Sequence, residues 1–352
     1  MSKRGSGIVS TFSFAAVLVL AEVAARTVAP TLPVDPGKWP RIEIAQKLDQ
    51  VREYVNDDRE FDAVFVGSSM MAGGIDPVAF TLRADVRGYN AAFSGPSMRT
   101  IEPWTLDIVE PLLQPKAIVL GIQSRELSNN GPKNKIMFDS FVDSPGYKET
   151  TSNIALRLGG VLERASYFLR YRRAFREPSE LFGAEGSAAL AASRLRQDIG
   201  PLGMRIQHDI PYHDSQEFRD SLYEKMLYDF EVLGPEYVAL ERLYRGLEER
   251  GVRLVMVNMP VTDAYWEAHR APSARRRYHE ALESFLDDAN VTFIDAEDVL
   301  SEDAFRNPMH LDIHARRWIG RALAVSWDDL MTDEPARFEL VCDEPRAKCT
   351  VE

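Results

Sequence analysis

The sequence predicts an α/β fold, a mostly parallel sheet doubly wound with helices, and two features of its patterning point there. Short apolar runs of strand length recur between turn residues, at 63–66, 117–120, 252–257 and 291–294, with a weaker one at 86–91. They do not alternate with polar residues, which suits strands buried on both faces. Helical segments lie between several of them. Ile42 to Val55 carries Ile42, Ile44, Leu48, Val51 and Val55 at roughly the helical period. Pro235 suits the first turn of a helix running to Arg250, and Gly251 suits its stop. Ser273 to Asp288 and Ile313 to Val325 are further helical segments.

The chain has 352 residues, 45% of them apolar and 27% charged, which is ordinary for a globular protein and argues against global disorder. With 54 acidic residues against 42 basic, the net charge of −12 opposes phosphate-backbone binding, so no nucleic-acid partner is expected. Cys342 and Cys349 are the only cysteines. Two cysteines exclude a disulfide scaffold and a Cys-rich zinc or iron–sulfur site. Seven residues apart, they either close a small loop or stay free.

The first residues differ from the rest. Lys3 and Arg4 precede an uncharged run from Gly5 to Ala21, 17 residues at the short end of a membrane-spanning helix. Glu22 and Arg26 are placed to pair on one helical face. The basic start favours an N-terminus held in the cytoplasm. A cleaved signal peptide with Thr27-Val28-Ala29 at its end is the other export reading. Both put the rest of the chain outside the cytoplasm. The anchor reading puts it on the periplasmic side of the inner membrane, with the helix as the membrane contact. Pro30, Pro33, Pro36 and Pro40 then read as a stiff linker.

The stretch 128–234 breaks the strand–helix rhythm, and its segments 153–175 and 187–199 are helical in flavour. Its basic run Arg170-Tyr171-Arg172-Arg173, with Arg164 and Arg176, is either a solvated helix face or a contact for an anionic glycan or lipid surface. The expected organisation is an anchor or signal over 1–29 and a linker with lead-in helix over 30–60. An α/β domain follows over 61–127 and 235–330, with a helical insertion over 128–234 and a polar tail over 331–352.

Four short segments carry candidate chemistry. The first strand runs into Gly67-Ser68-Ser69, at the edge where α/β folds place reactive groups. The second strand is followed by Ala92-Phe93-Ser94-Gly95-Pro96, whose glycine amide can approach a reacting oxygen. After the next strand comes Gly121-Ile122-Gln123-Ser124, in which Gln123 offers an amide donor for an oxyanion. Near the end, Asn307-Pro308-Met309-His310 puts an imidazole just before a helix, where it can act as general base. Singly, each of these reads first as a turn, a cap or a structural histidine.

In this order and spacing the four segments resemble the SGNH (GDSL-type) hydrolase superfamily, over roughly 61–127 and 252–323. Gly-Ser-Ser followed by Gly-Ile-Asp-Pro is similar to membrane-anchored bacterial members related to polysaccharide O-acetyltransferases and esterases. The resemblance implies a three-layer, flavodoxin-like sandwich and no cofactor. It makes Ser69 the nucleophile, His310 the base, and Gly95 and Gln123 oxyanion donors with the Ser69 amide. Two positions depart from the pattern. Gln123 stands where the family has asparagine, which leaves Ser124 or a backbone N–H as a substitute donor. Asn307 stands where the family has the aspartate that orients the histidine, and Asp303 or Asp312 could supply that charge instead. No metal is expected. His310 and His314 are four apart, but Leu311 stands where a metalloprotease helix needs glutamate, and His208-Asp209 and His213-Asp214 are loose pairs.

Three functions are consistent with these residues. One is a serine esterase or O-acetyltransferase acting on ester-linked acyl groups of carbohydrate. Another is a protein of the same fold that binds cell-surface polysaccharide without catalysis. The last is a lipid-directed esterase that uses the Arg170 cluster. The sequence assigns no oligomeric state.

Overall fold

The computed structural model describes residues 4–29, 38–84, 86–172, 198–207, 210–332, 334, 336–343 and 348–351. The chain divides into two compact units, 43–140 with 197–352, and 1–42 with 141–196.

The larger unit is α/β. Its lead-in helix α1 (Ile42–Asn56) precedes β1 (Ala63–Val66), α2 (Ser69–Gly74), α3 (Pro77–Ala84) and β2 (Gly88–Asn90). Then come β3 (Ala117–Ile122), α4 (Ser124–Leu127), α5 (Pro235–Glu248), β4 (Arg253–Asn258), α6 (Ala274–Asp288) and β5 (Thr292–Asp295). A two-stranded piece, β6 (Phe305–Asn307) and β7 (His310–Leu311), leads into α7 (Ala315–Val325), and β8 (Arg337–Asp343) and β9 (Lys348–Val351) close the chain. Seven strands form one sheet in the order β2-β1-β3-β4-β5-β8-β9. Every pairing from β2 across to β8 is parallel, and β9 runs antiparallel to β8.

The strands are apolar without alternation because both their faces are covered. Every residue of β1 and β3 is buried. Helix α5 packs on β4, and α3 packs on α7. Chain order reverses between β1 and β3, since β2 lies on one side of β1 and every later strand of the sheet on the other. Sheets of this winding bind ligands outside the carboxyl ends of the strands at such a reversal. The residues there are those that follow β1 and β3.

Two boundaries differ from the sequence reading. The expected tail, 331–352, contributes β8 and β9 to the sheet, and Cys342 faces Cys349 across that ladder in a disulfide. Phe338, Leu340 and Cys342 alternate with polar residues or an exposed valine, the pattern of a strand with one covered face, and Leu340 is buried. The expected insertion is also shorter than 128–234. Residues 128–140 and 197–234 belong to the sheet unit, leaving 141–196 to the other. Backbone and side-chain bonds join these two segments at their outer ends. Both the Asn129 N–H and its Nδ2 donate to Glu231 O, and Asn130 Nδ2 donates to Asp229 O.

In the smaller unit, residues Arg4–Val28 form one helix, and Glu22 and Arg26 pair at 2.7 Å as their spacing predicts. Glu22 also accepts from Ser166 Oγ and from the N–H groups of Tyr167 and Phe168, capping the helix Tyr167–Arg170. Among the described residues no helix is long and apolar enough to cross a membrane. Within the basic run, Arg164 pairs with Glu149, Arg172 pairs with Asp143 and Glu163, and Arg170 lies over the Tyr171 ring. Arg173, Arg176, Pro30, Pro33 and Pro36, with most of the segment 187–199, lie outside the described residues.

Candidate active site

Ser69 owes its place to the two residues before it. Gly67 has φ +146°, and a Cβ there would sit 2.8 Å from Gly121 O and 2.9 Å from Met71 Cβ. Only glycine lets the chain leave β1 this close to β3 and turn at once into α2. Ser68 caps the helix, its Oγ accepting from the Met70 N–H at 3.2 Å. Ser69 therefore opens α2 at the carboxyl end of β1, with 8% of its surface exposed.

His310 reaches the same place from 241 residues away, its Nε2 lying 2.9 Å from Ser69 Oγ. The short β6–β7 pair carries it, with Asn307 opposite His310 in the ladder. Asn307 Oδ1 lies 2.9 Å from His310 Nδ1 and also accepts the N–H groups of Met309 and His310, at 3.2 and 3.1 Å. Those two backbone donors fix the amide so that its oxygen, not its nitrogen, faces the ring. Nδ1 therefore carries the proton and donates it to Asn307, which leaves Nε2 as the acceptor for the serine hydroxyl.

Arg125, which the sequence reading passed over, completes the contacts of the serine. It is fully buried, and its Nη1 donates to Ser69 Oγ at 3.3 Å while Nη2 donates to Pro96 O at 3.3 Å. The serine oxygen thus accepts from a guanidinium and is free to donate to an imidazole. Glu126 faces Arg125 Nε at 3.1 Å, and its Oε2 accepts the Gln123 N–H at 3.0 Å. Burial pushes the Glu126 carboxyl up, against the pull of Arg125.

Gly95 lies buried at φ +93° in the loop that Arg125 holds through Pro96. Other bonds fix the same loop. Trp104 Nε1 donates to Ala91 O, Ser94 N–H to Glu43 Oε2, and Arg205 Nη1 to Ser94 Oγ. At the loop's start the fully buried Lys47 donates to Asn90 O at 2.6 Å and to Gly203 O at 2.8 Å. Burial pulls this lysine down to about 7, Glu43 opposing and Arg205 assisting.

The structure does not bring Gln123 to the serine. Its amide is fully buried and turned the other way, with Nε2 donating to Met259 O and Asn258 Oδ1 and Oε1 capping α4. Ser124, the substitute donor, is also committed, at 2.6 Å from Tyr265 OH and 2.9 Å from His269 Nε2. These residues form a buried polar layer behind the site with Tyr278 and Glu297. Burial drops His269 to about 4, so it is a neutral hydrogen-bonding partner.

Neither substitute acid meets the His310 ring. Asp303 is exposed and accepts from Ser301 Oγ, and Asp312 Oδ1 caps α7 by accepting the N–H groups of His314 and Ala315. The group on Nδ1 is Asn307. His310 sits well below the usual histidine range, first because it is desolvated and then because Arg306, Arg205, Arg125 and Lys133 surround it with positive charge. It is neutral at neutral pH and able to take a proton, but an imidazolium there is poorly supported.

Among the described residues no three His, Cys, Asp or Glu side chains come together to hold a metal, and His208-Asp209 lies outside those residues. The arrangement can deprotonate a serine hydroxyl and stabilise negative charge on its oxygen or on a neighbouring one. No model of a known protein family matches the chain, and no curated protein is similar to it.

Proposed function

We propose that the chain is a serine acyl hydrolase or O-acyltransferase of the SGNH type, acting on ester-linked acyl groups of carbohydrate. The observation that carries this reading is the line from Ser69 Oγ through the His310 ring to Asn307 Oδ1, 2.9 Å at each end. Ser69 Oγ attacks the ester carbonyl while His310 Nε2 takes its proton. The tetrahedral oxyanion is held by the Ser69 and Gly95 amides and by Arg125, which takes the part first given to Gln123. His310 returns the proton to the departing alkoxide, leaving an acyl-serine. Water then gives an esterase, and a sugar hydroxyl a transferase. The strand order 2-1-3-4-5 supports the flavodoxin-like, three-layer arrangement implied by the resemblance. The N-terminal helix is the proposed membrane anchor, with the α/β unit on the periplasmic side of the inner membrane; the uncharged run 5–21 supports this.

The test is hydrolysis of an aryl acetate by the full chain, with Ser69→Ala as control, and labelling of Ser69 by a fluorophosphonate. Equal rates for the two proteins remove the acyl-enzyme. A second reading, binding of polysaccharide without turnover, is favoured by the amide at Asn307. Saturable polysaccharide binding with no Ser69-dependent turnover would establish it.

A further inference from the structure

Beside the serine and the histidine lies a group of cations in excess over carboxylates, with only Asp76 and Asp312 acting on one of them, Arg316. Among the described residues Arg205, Arg306 and Arg316 make no ion pair, and Arg205 gives its Nη1 to the neutral Ser94 Oγ at 3.0 Å. Arg316 is almost fully buried and gives its Nη1 to Arg205 O at 2.6 Å, a carbonyl rather than a carboxylate. Arg306 directly precedes Asn307 on β6. The Nε atoms of Arg306 and Arg316 are buried with no hydrogen-bond partner, and so are both amide atoms of Gln207. Gln207 lies against Gly73 of α2, where a Cβ would collide with its amide nitrogen. The nearest carboxylates are engaged elsewhere. Asp76 caps α3 and meets Arg317 at 3.4 Å, and Asp312 caps α7. Desolvation and the fields of Arg205 and Arg316 both lower Arg306, so each of those two guanidiniums repels it. Buried charges are ordinarily paired, and buried polar atoms ordinarily bonded.

We propose that Arg205, Arg306 and Arg316, with Gln207, bind an oxyanion, a carboxylate or phosphate carried by the substrate or acceptor, next to Ser69 and His310. This deepens the acyl-transfer reading and rests on it only for what delivers the anion. It narrows the substrate to an anionic carbohydrate. The unpartnered Nε atoms and Gln207 Nε2 are donors in search of oxygens, and a bound anion would also relieve the positive field that holds His310 down.

The test uses the full chain carrying Ser69→Ala, so that nothing turns over. It is titrated calorimetrically at low salt with digalacturonate, its neutral dimethyl ester and glucose 6-phosphate. At least one anion is expected to bind ten-fold or more tightly than the neutral ester, and which one does so separates carboxylate from phosphate. Arg306→Gln and Arg205→Gln are each expected to weaken that anion ten-fold or more. Removing a repelled cation is also expected to leave the ligand-free melting temperature of Arg306→Gln equal or higher, where a structural arginine would lower it. Equal affinity for charged and neutral ligands overturns the proposal, as does a charge preference unmoved by both variants. Anion binding without aryl acetate hydrolysis by the native chain keeps this site and removes the acyl chemistry. Hydrolysis without anion preference does the reverse.

Discussion

Replacing Asn307 by aspartate should accelerate the proposed reaction, by an amount the geometry bounds. In a serine–histidine–aspartate triad, an asparagine at the acid position presents the wrong tautomer and costs ~10⁴ in rate. Here that loss is avoided, because the Met309 and His310 N–H groups hold the amide oxygen toward Nδ1. What is missing is the charge. A neutral hydrogen bond contributes about 1 kcal/mol and one to a charged group about 1.5–3 kcal/mol, so a carboxylate at the same 2.9 Å should favour the forming imidazolium by a further ~1–2 kcal/mol. At 1.36 kcal/mol per factor of ten, that is roughly a five- to thirty-fold gain in kcat/KM. The cations around His310 screen the new carboxylate and hold the gain toward the lower figure. The assay is aryl acetate hydrolysis by the full chain across about pH 5 to about pH 9, with thermal melting to confirm the fold. Asn307→Asp should also move the acid limb of the profile to higher pH, because it raises the histidine. Asn307→Leu, which removes the acceptor, should slow the reaction more than ten-fold. An Asn307→Asp protein that melts normally and is no faster, with an unmoved acid limb, would show that His310 is not the proton acceptor.

Further expectations follow from single residues. His310 must be neutral to act, and its folded pKa lies well below 6.5, so activity should be complete above that lowered value and lost only as the pH falls through it. An acid limb in kcat/KM of the native chain at or above pH 6.5 would contradict the depressed histidine. Gly67→Ala puts a Cβ 2.8 Å from a backbone carbonyl at φ +146° and should destabilise the fold by about 2–4 kcal/mol in urea melts. A native midpoint would mean that β1 and β3 do not approach this closely. Between about 7 and the ordinary 10.5 the unfolded chain keeps a proton that folded Lys47 has lost, so stability should rise with pH across that window. The slope should be at most ~1.4 kcal/mol per pH unit, and Lys47→Met should flatten it. The same slope in both proteins would assign it to another group.

The parts of this structure that local chemistry determines were open to reading in advance. The apolar runs at 63–66, 117–120 and 291–294 fall on β1, β3 and β5, and the helices read from Pro235 and Ser273 are α5 and α6. Ser69 and His310 were paired by the family resemblance that the four segments carry together, not by either segment alone, and the 2.9 Å contact between them agrees with it. Gln123 could not be placed that way. Its amide is turned by Asn258 and Met259, contributed by the end of β4 more than a hundred residues later, and no local signal fixes that rotamer. Arg125 was missed because a charged side chain after a strand is ordinarily solvated, whereas this one is held inside by Glu126, Pro96 and Ser69. The C-terminal strands were read as a tail because their charged residues outweigh three alternating apolar positions, and one covered face is enough for an added strand.

The charges around the serine favour one half of the proposed reaction over the other. Arg125 on Ser69 Oγ and the cations near His310 stabilise an oxyanion but oppose an imidazolium, and Asn307 lends the imidazolium no charge. Proton removal from Ser69 is therefore the step the site supports least. The same depression that makes His310 a weak base makes its protonated form a strong acid, so returning the proton to a departing oxygen is the step it supports best. A phenolate departs without a proton, whereas a sugar alkoxide needs one. The site would thus suit alkyl esters, the proposed sugar esters among them, and its rate should depend little on the leaving group. For a series of acetate esters from phenols to simple alcohols, log kcat/KM should fall only shallowly as the leaving-group pKa rises. Asn307→Asp should steepen that slope, because a more basic histidine is a poorer acid. A steep slope in the native chain, unchanged by Asn307→Asp, would mean that His310 does not protonate the departing oxygen and that another donor does so.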